Sequence, residues 1–286
     1  MKQVLLALIT ASPGIASLYL HYKDHQENDI FNVKTRVKSK LMKPDDIELN
    51  IDKSVIIENC AIDSVVDTSL SKNRYGGLKI LYGPEGSGKS TYLRKYVKEY
   101  ILHGGHAVVF NAPKPADVEH YFEVSSVTEI PKVVPPNTLI LIDQVENMEM
   151  NDGNDAFLRM LAIESRQTDQ FRVMMCVSDI KKAEHLMKLN GREKITNLCK
   201  SDLLRWSGHQ IECFIEIKFK KWTTSDKEKL KLLATKAQCP GFLVTVYDTY
   251  GDNGYPHDVS GVRKIESLAD VYRSRWKDFE KLDLLF

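Results

Sequence analysis

From about Leu78 onward, short runs of branched and apolar residues alternate with segments whose apolar positions recur every three or four residues. The first pattern predicts strands buried on both faces and the second predicts amphipathic helices. Their alternation predicts an α/β fold with a mainly parallel sheet. Five strand candidates stand out: "LKILY" (Leu78–Tyr82), "AVVF" (Ala107–Phe110), "TLILID" (Thr138–Asp143), "RVMMCVS" (Arg172–Ser178) and "IECFIEIKF" (Ile211–Phe219). Between the first two, Tyr92, Leu93, Tyr96, Val97, Tyr100 and Ile101 keep helical spacing until Gly104-Gly105 stops the run. "NDAFLRMLAIESRQ" predicts a second helix, leading into the fourth strand. Beyond the fifth candidate the texture turns helical. "TTSDKEKLKLLATKAQ" offers Thr224 or Ser225 as N-cap with Glu228 in capping-box reach, and "SLADVYRSRWKDFEKLDLLF" closes the chain as a helix. These helices predict a small subdomain packed beside the sheet.

The N-terminal pattern is different. "VLLALITASPGIASLYL", Val4 to Leu20, carries no charge and follows Lys2. Three readings fit it: a cleaved targeting segment with small residues near its end, a membrane anchor of marginal length interrupted by Pro13-Gly14, and a buried or amphipathic helix followed by a turn. The basic run "KTRVKSKLMK" from Lys34 to Lys43 suits either an anionic membrane face or a solvated linker. "KPDDIELNIDKSVIIENC" has room for an edge strand.

Charge changes the picture little. Forty Lys and Arg face 39 Asp and Glu, for a net charge of +1, so no overall basic field points to nucleic acid. The five cysteines (Cys60, Cys176, Cys199, Cys213, Cys239) form no C-x-x-C pair. That argues against a disulfide framework or a zinc site and for a reducing, intracellular compartment. "KFKKWTT" (Lys218–Thr224) combines lysines with Phe219 and Trp222. It reads as a stacking and phosphate-contacting patch for nucleic acid or, more plainly, as solvated lysines around a core tryptophan. His103 and His106 flank the two glycines at a helix end and suit interaction with its last carbonyls.

The chemistry concentrates in "ILYGPEGSGKSTYL". Gly83, four residues (Pro84, Glu85, Gly86, Ser87), then Gly88-Lys89-Ser90 and Thr91 make a G-x-x-x-x-G-K-S phosphate-binding loop between a strand and a helix. Glycines let main-chain amides turn inward, the helix start adds its positive end, Lys89 supplies a cation for the β- and γ-phosphates, and the Ser90 hydroxyl suits Mg²⁺. Asp143 ends an apolar strand, where open α/β sheets bind ligands, and is placed to hold Mg²⁺.

These residues resemble the P-loop NTPase superfamily, in its additional-strand branch of AAA+ and STAND ATPases, over roughly residues 55 to 255. The resemblance implies a three-layer sandwich with a mainly parallel five-stranded sheet and a small C-terminal helical lid. It divides the chain into an apolar segment (1–20), a polar and basic linker (21–54), a nucleotide-binding domain (55–220) and a lid (221–286). It implies ATP and Mg²⁺ as cofactors and a homo-oligomer or a protein client as partner. Ser178 resembles the sensor-1 residue. Arg205 resembles an arginine finger or phosphate sensor, with Arg166 and Arg192 as rivals. Where the family places a glutamate after the Walker-B aspartate, this chain has Gln144, which orients water but accepts no proton. Hydrolysis is then slow and the protein an ATP-gated switch, or Glu146 or a partner's residue supplies the base. A non-catalytic nucleotide-binding scaffold and a small-molecule kinase are the alternatives.

Overall fold

The computed structural model describes residues 27, 29–47, 78–168, 170–189, 196–199, 204–251 and 253–283. The apolar stretch 4–20, the suggested edge strand beyond residue 47 and Arg192 lie outside them. Among the described residues no helix is long and apolar enough to cross a membrane.

The sheet is built from β1 (Leu78–Tyr82), β2 (His106–Asn111), β3 (Thr138–Asp143), β4 (Phe171–Val177) and β5 (Thr196–Cys199). It runs in the order β2-β3-β4-β1-β5 with every pairing parallel. Parallel neighbours need crossover connections, and helices supply them. Helix α1 spans 29–40, α2 Lys89–Leu102, α3 Pro115–Phe122, α4 Ile130–Val133, α5 Asp152–Thr168 and α6 Ile180–Lys188. Strand residues alternate between two cores, because successive side chains point to opposite faces. Ile80, Ile140, Ile142, Val173 and Met175 pack with α1, α3, α5 and α6. Leu81, Leu139, Leu141, Met174 and Cys176 pack with Leu93 and Val97 of α2 on the other side. The sheet is therefore covered on both faces, which is why its strands carry no polar alternation.

Four helices follow: α7 (Gly208–Lys218), α8 (Thr224–Ala237), α9 (Pro240–Tyr250) and α10 (Val259–Asp283). They share a core of their own, including Phe214, Phe219, Trp222, Leu230, Phe242, Val246 and Ile265. The far end of α10 leaves that core for the sheet: Trp276 joins the α2-side core and Phe279 the opposite one.

Three expectations are corrected. Ile211–Phe219 is no strand but most of α7, and the strand beside β1 is the short "TNLC" of Thr196–Cys199. Ile211, Phe214, Ile215 and Phe219 are the buried positions, a helical spacing masked by the dense Ile and Phe content. Ser207 and Gln210 close a capping box at the start of α7, with Gln210 N–H donating to Ser207 Oγ (3.3 Å) and Ser207 N–H to Gln210 Oε1 (2.8 Å). Helix α8 is capped by Thr223, one residue earlier than expected. Its hydroxyl accepts from Asp226 N–H (3.2 Å) and donates to Asp226 Oδ2 (2.6 Å). Finally, residues 29–47 are built into the body rather than strung out as a linker. Val37, Leu41 and Ile47 are buried, and Met42 N–H donates to Ala107 O (3.1 Å).

Two of the basic side chains in that segment turn to one carboxylate. Arg36 Nε donates to Glu123 Oε2 (2.7 Å) and Lys40 Nζ to Glu123 Oε1 (2.5 Å), and together they hold the Glu123 carboxyl down at about 2. Phe219 and Trp222 are buried and Trp222 Nε1 donates to Gly251 O (3.3 Å), so this pair offers no stacking face to a nucleic acid. His103 Nδ1 lies 2.8 Å from Glu99 O at the end of α2.

Candidate functional site

The C-terminal ends of β1, β3 and β4 lie side by side, and the residues singled out by chemistry gather beyond them. Gly83 N–H donates to Val177 O (3.2 Å), tying the start of the glycine loop to the end of β4. Gly86 and Gly88 take φ of +80° and +87°, left-handed conformations open to glycine at no steric cost. Gly88 immediately precedes α2, so the loop ends on that helix's N-terminus.

Lys89 is buried, and its ammonium is held by the loop it belongs to. Nζ donates to Gly83 O (2.7 Å), Pro84 O (2.9 Å) and Ser87 Oγ (3.2 Å). Burial pushes its pKa below the ordinary lysine value, while Cys176, Glu146, Cys239 and Asp143 pull it back up. The ammonium is thus held against the glycine loop by two of its carbonyls and one hydroxyl. Ser90 Oγ donates to Asp143 Oδ1 at 2.9 Å, and the same oxygen accepts from Gln144 N–H (2.9 Å). Asp143 is 2% exposed. A hydroxyl and a carboxylate oxygen facing each other are hard oxygen donors, and they fit Mg²⁺.

The flanking residues separate into two groups. Ser178, just past β4, donates its N–H to Glu146 Oε2 (3.3 Å), so the Glu146 carboxylate is engaged by backbone. Gln144 is exposed and sits at φ 55°, left-handed, at the end of β3. The sheet edge thus collects Lys89, Ser90, Asp143, Gln144, Glu146 and Ser178. Arg205 stands apart. Its guanidinium donates to Gln238 (3.1 Å) and Glu280 (2.5 Å) and lies 5.0 Å from the centre of the Trp276 ring, all within this chain. Arg166 is exposed in the last turn of α5.

The helical cluster reaches the loop directly. Gly241 N–H donates to Gly86 O (2.8 Å). A Cβ on Gly241 would stand 2.8 Å from both the Cα and the carbonyl oxygen of Gly86. Tyr272 lies against Gly86, Leu204 and Trp276 against Gly83, and Arg275 pairs with Glu85 at 3.6 Å. None of these contacts announced itself in the sequence. The nearest signal was Pro240-Gly241, a helix start with its proline at N1.

No family model matches the sequence, and a search of curated protein sequences returned no match. Solved structures do resemble it. The Walker-type ATPase Paby2304 of Pyrococcus abyssi superposes with a TM-score of 0.53 at 13% identity, over 81% of this chain and 77% of that one. A RuvB mutant of Thermotoga maritima gives 0.45 at 12% identity over 76% and 69%, and AMPPCP-bound DnaA from Aquifex aeolicus 0.44 at 16% over 70% and 64%. The chain has the P-loop NTPase fold. Strand β4 stands between β1, which leads into the glycine loop, and β3, which ends in Asp143.

Proposed function

We propose that this P-loop protein is a nucleotide-binding, Mg²⁺-dependent ATPase of the AAA+ or STAND kind that works as a slow, nucleotide-gated switch. The observation that carries the reading is the Ser90 hydroxyl 2.9 Å from Asp143 Oδ1, beside a lysine bonded into its own glycine loop. When bound, Mg²⁺ would neutralise phosphate charge between these two oxygens. The chain's own part is to cradle the phosphates, present Lys89 and orient water through Gln144.

Slow turnover follows from two residues. Gln144 has no proton acceptor of useful basicity, and the Glu146 carboxylate is turned to Ser178 N–H. These same features favour the second reading, a switch that binds nucleotide and never hydrolyses it. In either case α7–α10 act as the lid, beginning near residue 204 rather than 221. Their contact with Gly86 makes the lid responsive to what the loop holds. A homo-oligomer or protein client would read that response, in a reducing compartment that contains ATP.

A single-turnover assay with labelled ATP tests this. The expected result is one nucleotide bound per chain and turnover below about 1 s⁻¹, the low end of enzymatic rates, with no added phosphoryl acceptor needed. Absence of binding, or transfer that requires a small-molecule acceptor, contradicts it.

A further inference from the structure

The turn Val145–Asn147, which follows Asp143 and Gln144, is held from outside itself. Two of its carbonyls are used locally: Gln144 O accepts from Asn147 N–H (2.9 Å) and Val145 O from Met148 N–H (3.0 Å). The carbonyls of Glu146 and Met148 both accept from one ammonium, Lys182 Nζ, the second at 2.5 Å. Lys182 is in the first turn of α6, and its own amide donates to the N-cap Asp179 (2.8 Å), so its backbone is pinned as well. Val145 and Met148 are buried beneath the turn, and Glu146 ties it to the end of β4 through Ser178. Gln144 stays in the left-handed region, where a residue other than glycine persists only if its surroundings hold it.

We propose that Lys182 is a positioning residue of the nucleotide site: by donating to Glu146 O and Met148 O, its ammonium fixes the turn that aims Gln144 and the Asp143 carboxylate. The inference rests on the nucleotide reading of the glycine loop. Without the ammonium, two carbonyls of a half-buried turn lose their donor and the turn relaxes. A shift on the order of 1 Å in a reacting group costs about 10²-fold in rate.

The test compares wild type, Lys182→Met and Lys182→Arg as full chains. Binding of a fluorescent ADP analogue by wild type comes first, and its absence overturns the nucleotide reading and this inference together. With binding in hand, Lys182→Met is expected to lower kcat about 10- to 100-fold with KM kept within about twofold. It should also raise the Mg²⁺ concentration needed for half-maximal nucleotide binding and speed hydrogen exchange at the Asn147 and Met148 amides. Arginine, whose fork reaches two carbonyls, should restore most of each. Where turnover is too slow to read, the Mg²⁺ midpoint and the exchange rates decide. A Lys182→Met protein equal to wild type overturns the inference alone, as do equal losses in the methionine and arginine variants. If Lys182→Met fails to fold, Lys182→Gln, which keeps a neutral donor, carries the same measurements.

Discussion

Gln144→Glu is expected to raise single-turnover ATP hydrolysis by about 10²- to 10⁴-fold, the usual contribution of one well-placed general base. The position supports this. Gln144 follows the carboxylate that faces Ser90, its amide is anchored on Asp143 Oδ1, and its side chain is exposed at the sheet edge where a nucleotide would lie. Changing the amide to a carboxylate preserves size and adds the missing proton acceptor. The companion variant Glu146→Gln should change little, because an amide oxygen still accepts from Ser178 N–H. A parent that is already fast, together with a Gln144→Glu that adds nothing, contradicts the slow-switch account. A large loss in Glu146→Gln would instead make Glu146 the base.

Gly241→Val should disable the site from the opposite side. The Cβ would fall 2.8 Å from two backbone atoms of Gly86, and the Gly241 N–H to Gly86 O hydrogen bond (2.8 Å) would have to break or stretch for the two segments to separate. Neither neighbour is a flexible side-chain end, so the main chain has to move. Overpacking of this kind costs about 3 kcal/mol at its upper range, which in a chain of this size lowers Tm by roughly 6–12 °C. The displaced segment is the glycine loop itself, so nucleotide affinity should fall as well, even at temperatures where the protein stays folded. Thermal melts and nucleotide titrations run on the same samples check both effects. An unchanged melting temperature with unchanged affinity would mean that α9 does not press on the loop.

The sequence made the chemistry legible before the architecture around it. Asp143 lies 53 residues beyond Ser90 in the chain, yet a glycine pattern between strand and helix, and an acid at the end of an apolar strand, are local signals tied to one ligand. Their meeting at the sheet edge follows from parallel topology. At Ile211–Phe219 β-rich composition and helical spacing coexist in one short run, and the Ser207–Gln210 box that decides between them sits just upstream. The true edge strand, Thr196–Cys199, is four residues with two polar ones, too short to carry a period. The burial of Val37 and Leu41 hid behind a high density of lysine and arginine, because long cationic side chains flank apolar anchors without revealing them. Contacts such as Lys182 to the turn carbonyls, or Gly241 against Gly86, join segments distant in sequence through backbone atoms, which leave no trace in residue type.

The most direct measurement is calorimetric titration of ATP with Mg²⁺ into the wild-type chain and into Lys89→Ala. Hydrogen bonds to charged groups contribute roughly 1.5–3 kcal/mol each, so losing the lysine should weaken binding by about tenfold to more than a hundredfold. The expected result is one saturable site per chain in wild type, dependent on Mg²⁺, and binding weakened by that factor in a folded Lys89→Ala. A folded wild type that yields no heat with any adenine or guanine nucleotide, or a Lys89→Ala that binds as tightly, would contradict it.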